Sequence, residues 1–171
     1  MYRPENWDEI QAITTKRPQE DYYIMKIINA TEGRSKNGNE EILRLELDIA
    51  EGEFKGFFTK LSQKLNKNLL LRVIQLTQRE ESLPYFKKMI LDIENSNFGY
   101  TFDFNPISLR EKIVGAYLLS YDYESKYGTK QGLKLDRFYP VGEVREKLGH
   151  QLKKNLQKIQ DDKIYDDLPF N

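Results

Sequence analysis

The sequence predicts a mainly-β fold: a five-stranded antiparallel barrel with a helix between strands 3 and 4 and a second, C-terminal helix. Three observations predict it. Leu43, Leu45, Leu47 and Ile49 alternate with Arg44, Glu46 and Asp48, a period of two that puts one row in a core and the other on a polar face. Tyr22–Thr31 and Lys112–Tyr123 are rich in β-branched and aromatic residues. Phe86, Met89, Ile90 and Ile93, and later Val144, Leu148, Leu152, Leu156 and Ile159, recur at helical spacing.

The elements follow in order. Residues 1–20 read as an irregular N-terminal arm anchored by Trp7 and Ile10 and closed by Arg17-Pro18. Strand 1 spans Tyr22–Thr31, and the polar stretch 32–39, with two glycines, is a loop. Strand 2 holds the alternating leucines. Glu51-Gly52 is a turn into strand 3, Phe54–Leu61, where Gly56 marks a bend or bulge. Residues 62–78, with the run LLLRVIQL, fit either a short extra strand or a buried helix. Ser82 can cap a helix running to about Ser96, with Pro84 tolerated in its first turn, and Asn97-Phe98-Gly99 ends it. Lys112–Tyr123 is strand 4, residues 124–132 a hairpin loop, Leu133–Pro140 strand 5, and 141–160 a helix. Three strands, a helix and a two-strand hairpin give the connectivity of the OB barrel. A generic α+β sandwich gives the same string. The division is an arm over 1–20, an OB domain over 21–140, a helix over 141–160 and an acidic tail over 161–171.

Composition narrows the class. The chain has 171 residues, 39% of them hydrophobic, enough for one packed domain. Its opening, Met1 to Trp7, carries an acid and no apolar stretch, and no run is long enough to cross a membrane, so the expected address is cytoplasmic with no membrane partner. The absence of cysteine removes disulfides and thiolate metal sites. Net charge is zero but unevenly spread. The last eleven residues hold four Asp against one Lys, a net of −3, which leaves the body 26 basic against 23 acidic residues, or +3. Within the body, Glu53–Lys88 has eight basic and three acidic residues, or +5. The aromatics, 11 Tyr and 9 Phe with one Trp, often neighbour Lys or Arg in strand-like segments.

Catalysis has little foothold, and no catalytic residue, metal site or cofactor is expected. His150 is the only histidine, in a Lys-rich helical stretch that offers no partners for a triad or metal set. Neither phosphate-loop nor dinucleotide motifs occur. Asp48, Glu53 and Lys55 spell D-x4-E-x-K, similar to a metal-dependent nuclease signature in which two carboxylates hold Mg²⁺. All three surround a tight turn where such residues are ordinary, and the nuclease reading is set aside.

Binding is better supplied. An OB barrel grips single strands on the outer face of strands 2 and 3, flanked by the loops joining strands 1–2 and 4–5. The first loop offers Arg34 and Lys36, the second Lys126 and Lys130. Strand 2 offers Arg44; strand 3 offers Lys55 with Phe57, or Phe58 with Lys60, depending on parity. Tyr117, Tyr121 and Tyr123 share one parity of strand 4 and lead to Tyr127 in the loop, with Lys134 beyond it. Lysines neutralise phosphates and aromatic faces stack bases. Against this, Phe57, Phe58 and Tyr117 are as well suited to a core.

Two resemblances add to this. Asp166-Asp167-Leu168-Pro169-Phe170 resembles the acidic tip of bacterial single-stranded-DNA-binding proteins, which docks on replication and repair proteins, although here Asn171 follows the Phe and a Lys-rich helical stretch replaces the flexible linker. The opening 2–8, the stretch 21–26, the loop 35–39, the block 47–56, Lys112-Ile113-Val114-Gly115 and Phe138-Tyr139-Pro140-Val141 resemble a phage and mobile-element family of OB-fold single-stranded-DNA-binding proteins. This likeness, over about residues 1–148, implies a sequence-nonspecific single-stranded-DNA binder in replication or recombination, with partner proteins recruited by the tail. RNA binding, since the same platform does not reject a 2′-hydroxyl, and a protein–protein adaptor are the alternatives. Homo-oligomerisation is left open.

Overall fold

The computed structural model describes residues 16–166, with side chains to residue 160. Five strands, β1 (Asp21–Arg34), β2 (Glu41–Ile49), β3 (Leu71–Leu76), β4 (Ile113–Ser125) and β5 (Gly128–Tyr139), pair antiparallel in the order β3-β2-β1-β4-β5. β3 also approaches β5, so the sheet curls into a nearly closed barrel of the OB type, as the order of elements predicts. β1 makes the curl. Its first half pairs with β4 (Asp21↔Leu118 to Lys26↔Ile113), and from Met25 to Arg34 it pairs with β2. A bulge between Ile27 and Asn29 lets one strand serve both neighbours.

The alternating row of β2 fills the barrel: Leu43, Leu45, Leu47 and Ile49 are all buried, facing Met25 and Ile27 of β1 and Val114 and Leu118 of β4 in one cluster. Helix α2 (Leu83–Ser96) lies between β3 and β4 and adds Met89 and Ile93 to that core. Ser82 makes no side-chain cap, but Asn97 ends the helix as expected. Its amide donates to the Ile93 carbonyl and to the Ile113 carbonyl, both at 2.7 Å, which ties α2 to the start of β4.

The third strand is not where the sequence reading put it. Phe54–Leu61 forms a turn and then helix α1 (Phe57–Leu65), while β3 is Leu71–Leu76, inside the segment left open between strand and helix. The cause is Asp48. Its buried carboxylate accepts from the amides of Ile49 (2.7 Å), Phe58 (3.0 Å) and Thr59 (2.9 Å), so a residue on β2 caps the first turn of α1. Gly56, at φ 71, supplies the left-handed step that turns the chain into the helix. Phe54, Phe57 and Phe58 then pack edge-on against one another beside the core.

Two other boundaries move. β4 and β5 run on to Ser125 and from Gly128, so the nine-residue loop expected at 124–132 shrinks to Lys126-Tyr127. Helix α3 (Val141–Asp166) passes the expected end at 160 and takes in the first residues assigned to the tail. Its opening turns dock on the barrel through Val141, Val144 and Leu148, against Ile24 and Tyr22. Gly115 permits this approach: a Cβ there would lie 2.5 Å from Val144 and 2.8 Å from the Tyr139 carbonyl. Trp7, Ile10 and the tip Asp167–Phe170 lie outside the described residues.

Candidate functional site

β4 and β5 form an arm. β1 covers β4 only as far as Leu118, whereas the β4–β5 ladder continues to Ser125↔Gly128. Leu133, opposite Ser120, still packs against the core, and beyond that pair the hairpin is a two-stranded ribbon exposed over residues 121–124 and 128–131. Direct cross-strand pairs put Leu119 beside Lys134, Tyr121 beside Gly132 and Tyr123 beside Lys130, all on one face.

On that face the tyrosines are exposed: 41% for Tyr121, 44% for Tyr123 and 76% for Tyr127 at the tip. The Tyr121 and Tyr123 rings lie 5.9 Å apart. Tyr121 leans over Gly132, where a Cβ would sit 2.8 Å from the ring, so glycine opposite the tyrosine lets the ring lie across the ribbon. Lysines ride on the rings: Lys126 and Lys130 at 5.0 and 5.4 Å from the Tyr127 centroid, and Lys134 at 5.8 Å from that of Tyr121. The acids Asp122 and Glu124 belong to the opposite parity, with Glu124 accepting from the Thr129 hydroxyl at 2.6 Å. One face is thus aromatic and basic, the other acidic.

The base of the arm is clamped. Glu20 accepts from the Tyr117 hydroxyl (2.9 Å), the Ser120 amide (3.0 Å) and the Ser120 hydroxyl (2.9 Å). The Ser120 amide, then the Tyr117 hydroxyl, holds the Glu20 carboxyl below its ordinary value, and the same bond to Glu20 raises the Tyr117 phenol. The Tyr117 ring rests 4.8 Å from that of Tyr22, and Tyr22 lies 5.6 Å from Tyr139, with Lys147 near both.

The structure brings together Tyr121, Tyr123, Lys126, Tyr127, Lys130 and Lys134 of the residues singled out in the sequence. Tyr117 shares their strand face but is half-buried and engaged at both ring and hydroxyl. Arg34, the last residue of β1, and Lys36, in the loop that follows, are exposed, and the register sets both at the opposite end of β1 from the arm. Lys55, Phe57 and Lys60 are not on a strand: Phe57 packs against the core from α1, and the Lys60 ammonium donates to the Lys55 carbonyl at 3.2 Å. The choice between Phe57 and Phe58 as the outward residue dissolves, because both belong to a helix.

The outer face of β2 and the true β3 carries Arg44, Glu46, Arg72 and Ile74, in the pairs Arg44↔Ile74 and Glu46↔Arg72. Arg44 is half-buried, its Nε without a partner. Glu46 sits between Asn29, Asn68 and Arg72. Among the described residues, that face has mixed charge and no aromatic ring. Sequence reasoning missed Tyr22, Tyr139, Glu20 and Gly132. None of these left a legible trace: Gly132 reads as a loop glycine until the register sets it opposite Tyr121.

For the nuclease reading, Asp48 is spent as a cap and Glu53 pairs with Lys16 at 3.1 Å. The chain matches no known protein-family model and no curated protein. Its class accordingly rests on the fold and this surface: an OB-type barrel bearing a tyrosine–lysine hairpin.

Proposed function

We propose that the chain is a passive, sequence-nonspecific binder of single-stranded DNA, with the β4–β5 hairpin as its principal contact surface. The observation that carries this reading is the exposed row Tyr121–Tyr123–Tyr127 with Lys126, Lys130 and Lys134 laid on its rings. Each lysine–ring contact at an exposed site is worth about 0.5–1 kcal/mol, whereas a stacked base contributes about 1–3 kcal/mol. A base therefore displaces a lysine from its ring, and the freed ammonium meets the adjacent phosphate. The platform is held ready at little cost. Stacking on ring faces demands splayed bases, which favours single strands over duplex. In this reading the hairpin takes the role expected of strands 2 and 3, while Arg34, Lys36 and Arg44 are left as secondary contacts.

The family resemblance supports service in replication or recombination of a phage or mobile element in the cytoplasm. The Asp-Asp-Leu-Pro-Phe tip supports recruitment of a replication or recombination protein. Binding acts by preference for the unpaired state, with no bond made or broken. A gel shift comparing single-stranded DNA, duplex DNA and RNA at several salt concentrations tests the reading. Retention of single-stranded DNA over duplex is expected. Equal retention of all three, or of none, contradicts it, and a preference for RNA transfers the same surface to RNA.

A further inference from the structure

Beyond Leu148, α3 leaves the barrel. Every residue from Gly149 to Gln160 is exposed, and the helix continues to Asp166, a projection of about 27 Å. A solvated helix of that length is marginal by itself. Yet it keeps an apolar stripe: Leu152, Leu156 and Ile159, at spacings of four and three, are 62%, 53% and 52% exposed. They continue the line of Val141, Val144 and Leu148, which is used up on the barrel. The charges along the same stretch are segregated. Lys153, Lys154 and Lys158 come first, a net of +3, then Asp161, Asp162 and Asp166 with Lys163 among them, a net of −2.

We infer that two copies of this chain pair antiparallel through the distal half of α3. Both parallel and antiparallel pairing cover the stripe, but charge separates them. A parallel pair sets lysines against lysines and aspartates against aspartates. An antiparallel pair centred between Leu156 and Ile159 sets Lys153 and Lys154 of one copy against Asp162 and Asp161 of the other. The contact is self-complementary, as a two-fold interface must be. Three apolar side chains per copy make it a modest, concentration-dependent dimer. It would carry two barrels, each with its own hairpin, at the two ends of one helical bridge. The pairing does not depend on what the hairpin binds.

Sedimentation equilibrium of the full chain over a wide concentration range tests this. A monomer–dimer equilibrium is expected, and Leu156→Ala with Ile159→Ala should raise the dimer dissociation constant roughly tenfold or more, leaving the barrel's circular dichroism unchanged. Orientation is read by cross-linking, since the chain has no cysteine of its own. Chains carrying Leu152→Cys and Lys163→Cys, mixed and oxidised, should cross-link to each other and not to themselves. Self-cross-linking of Leu152→Cys would mean parallel pairing and overturn the inference. So would a chain monomeric at every concentration; a loss of helix signal on deleting residues 1–15 would then assign the stripe to the N-terminal arm.

Discussion

Asp48 is the residue on which the local architecture turns. Its 2% exposure leaves no water to replace the three amides it binds. Asp48→Ala strands the Phe58 and Thr59 amides, so we expect a loss of about 1–3 kcal/mol, read as a lower unfolding midpoint in urea. The role was illegible because the bond spans ten residues and joins a strand to a helix; alternation alone assigns Asp48 to a polar face. Glu20 is the second residue with leverage, as the clamp at the base of the arm. Its carboxyl is held below the ordinary 4.5. Its contribution to stability is therefore fully present above 4.5 and is lost as the pH falls through the lower folded value. Thermal midpoints followed from neutral pH downward should fall through that window in the native chain, and this component of the fall should be absent in Glu20→Gln.

At the scale of elements, the period-two row of β2 and the helical stripe of α2 were legible because each pattern is long and only one reading buries it. The third strand was not. Phe54, Phe57, Phe58 and Leu61 lie at helical spacings of three, one and three, but four aromatic and aliphatic residues after a Glu-Gly turn also read as the return arm of a hairpin. The helix wins because Gly56 and Asp48 build its start. The ribbon of β4 and β5 was legible in its tyrosine parity and not in its length, since the polar loop residues 128–132 continue the ladder. If its tip meets phosphates, replacing Lys126 and Lys130 by alanine should flatten the dependence of log K on log salt. The expected change is about 0.7 per lost contact, measured by titrating single-stranded DNA at increasing salt. An unchanged slope would remove the tip from the interface.

Across the whole molecule, the sequence reading captured the class and order of elements, because a barrel needs only enough buried alternation in the right succession. It expected aromatic rings on the outer face of strands 2 and 3, but which surface of a barrel is aromatic depends on which segment becomes β3. With Leu71–Leu76 in that place, the β2–β3 face carries Glu46 among its arginines, and the tyrosines stand alone on the arm. Charge neutrality is reconciled with the proposed binding surface in the same way: the acids of the hairpin occupy its other face. The most direct test replaces Tyr121, Tyr123 and Tyr127 together with alanine and measures single-stranded-DNA affinity beside the unfolding midpoint. All three rings are exposed, so the midpoint should hold while affinity falls by about 1–3 kcal/mol for each base no longer stacked. Unchanged affinity in a folded variant would contradict the hairpin as the interface.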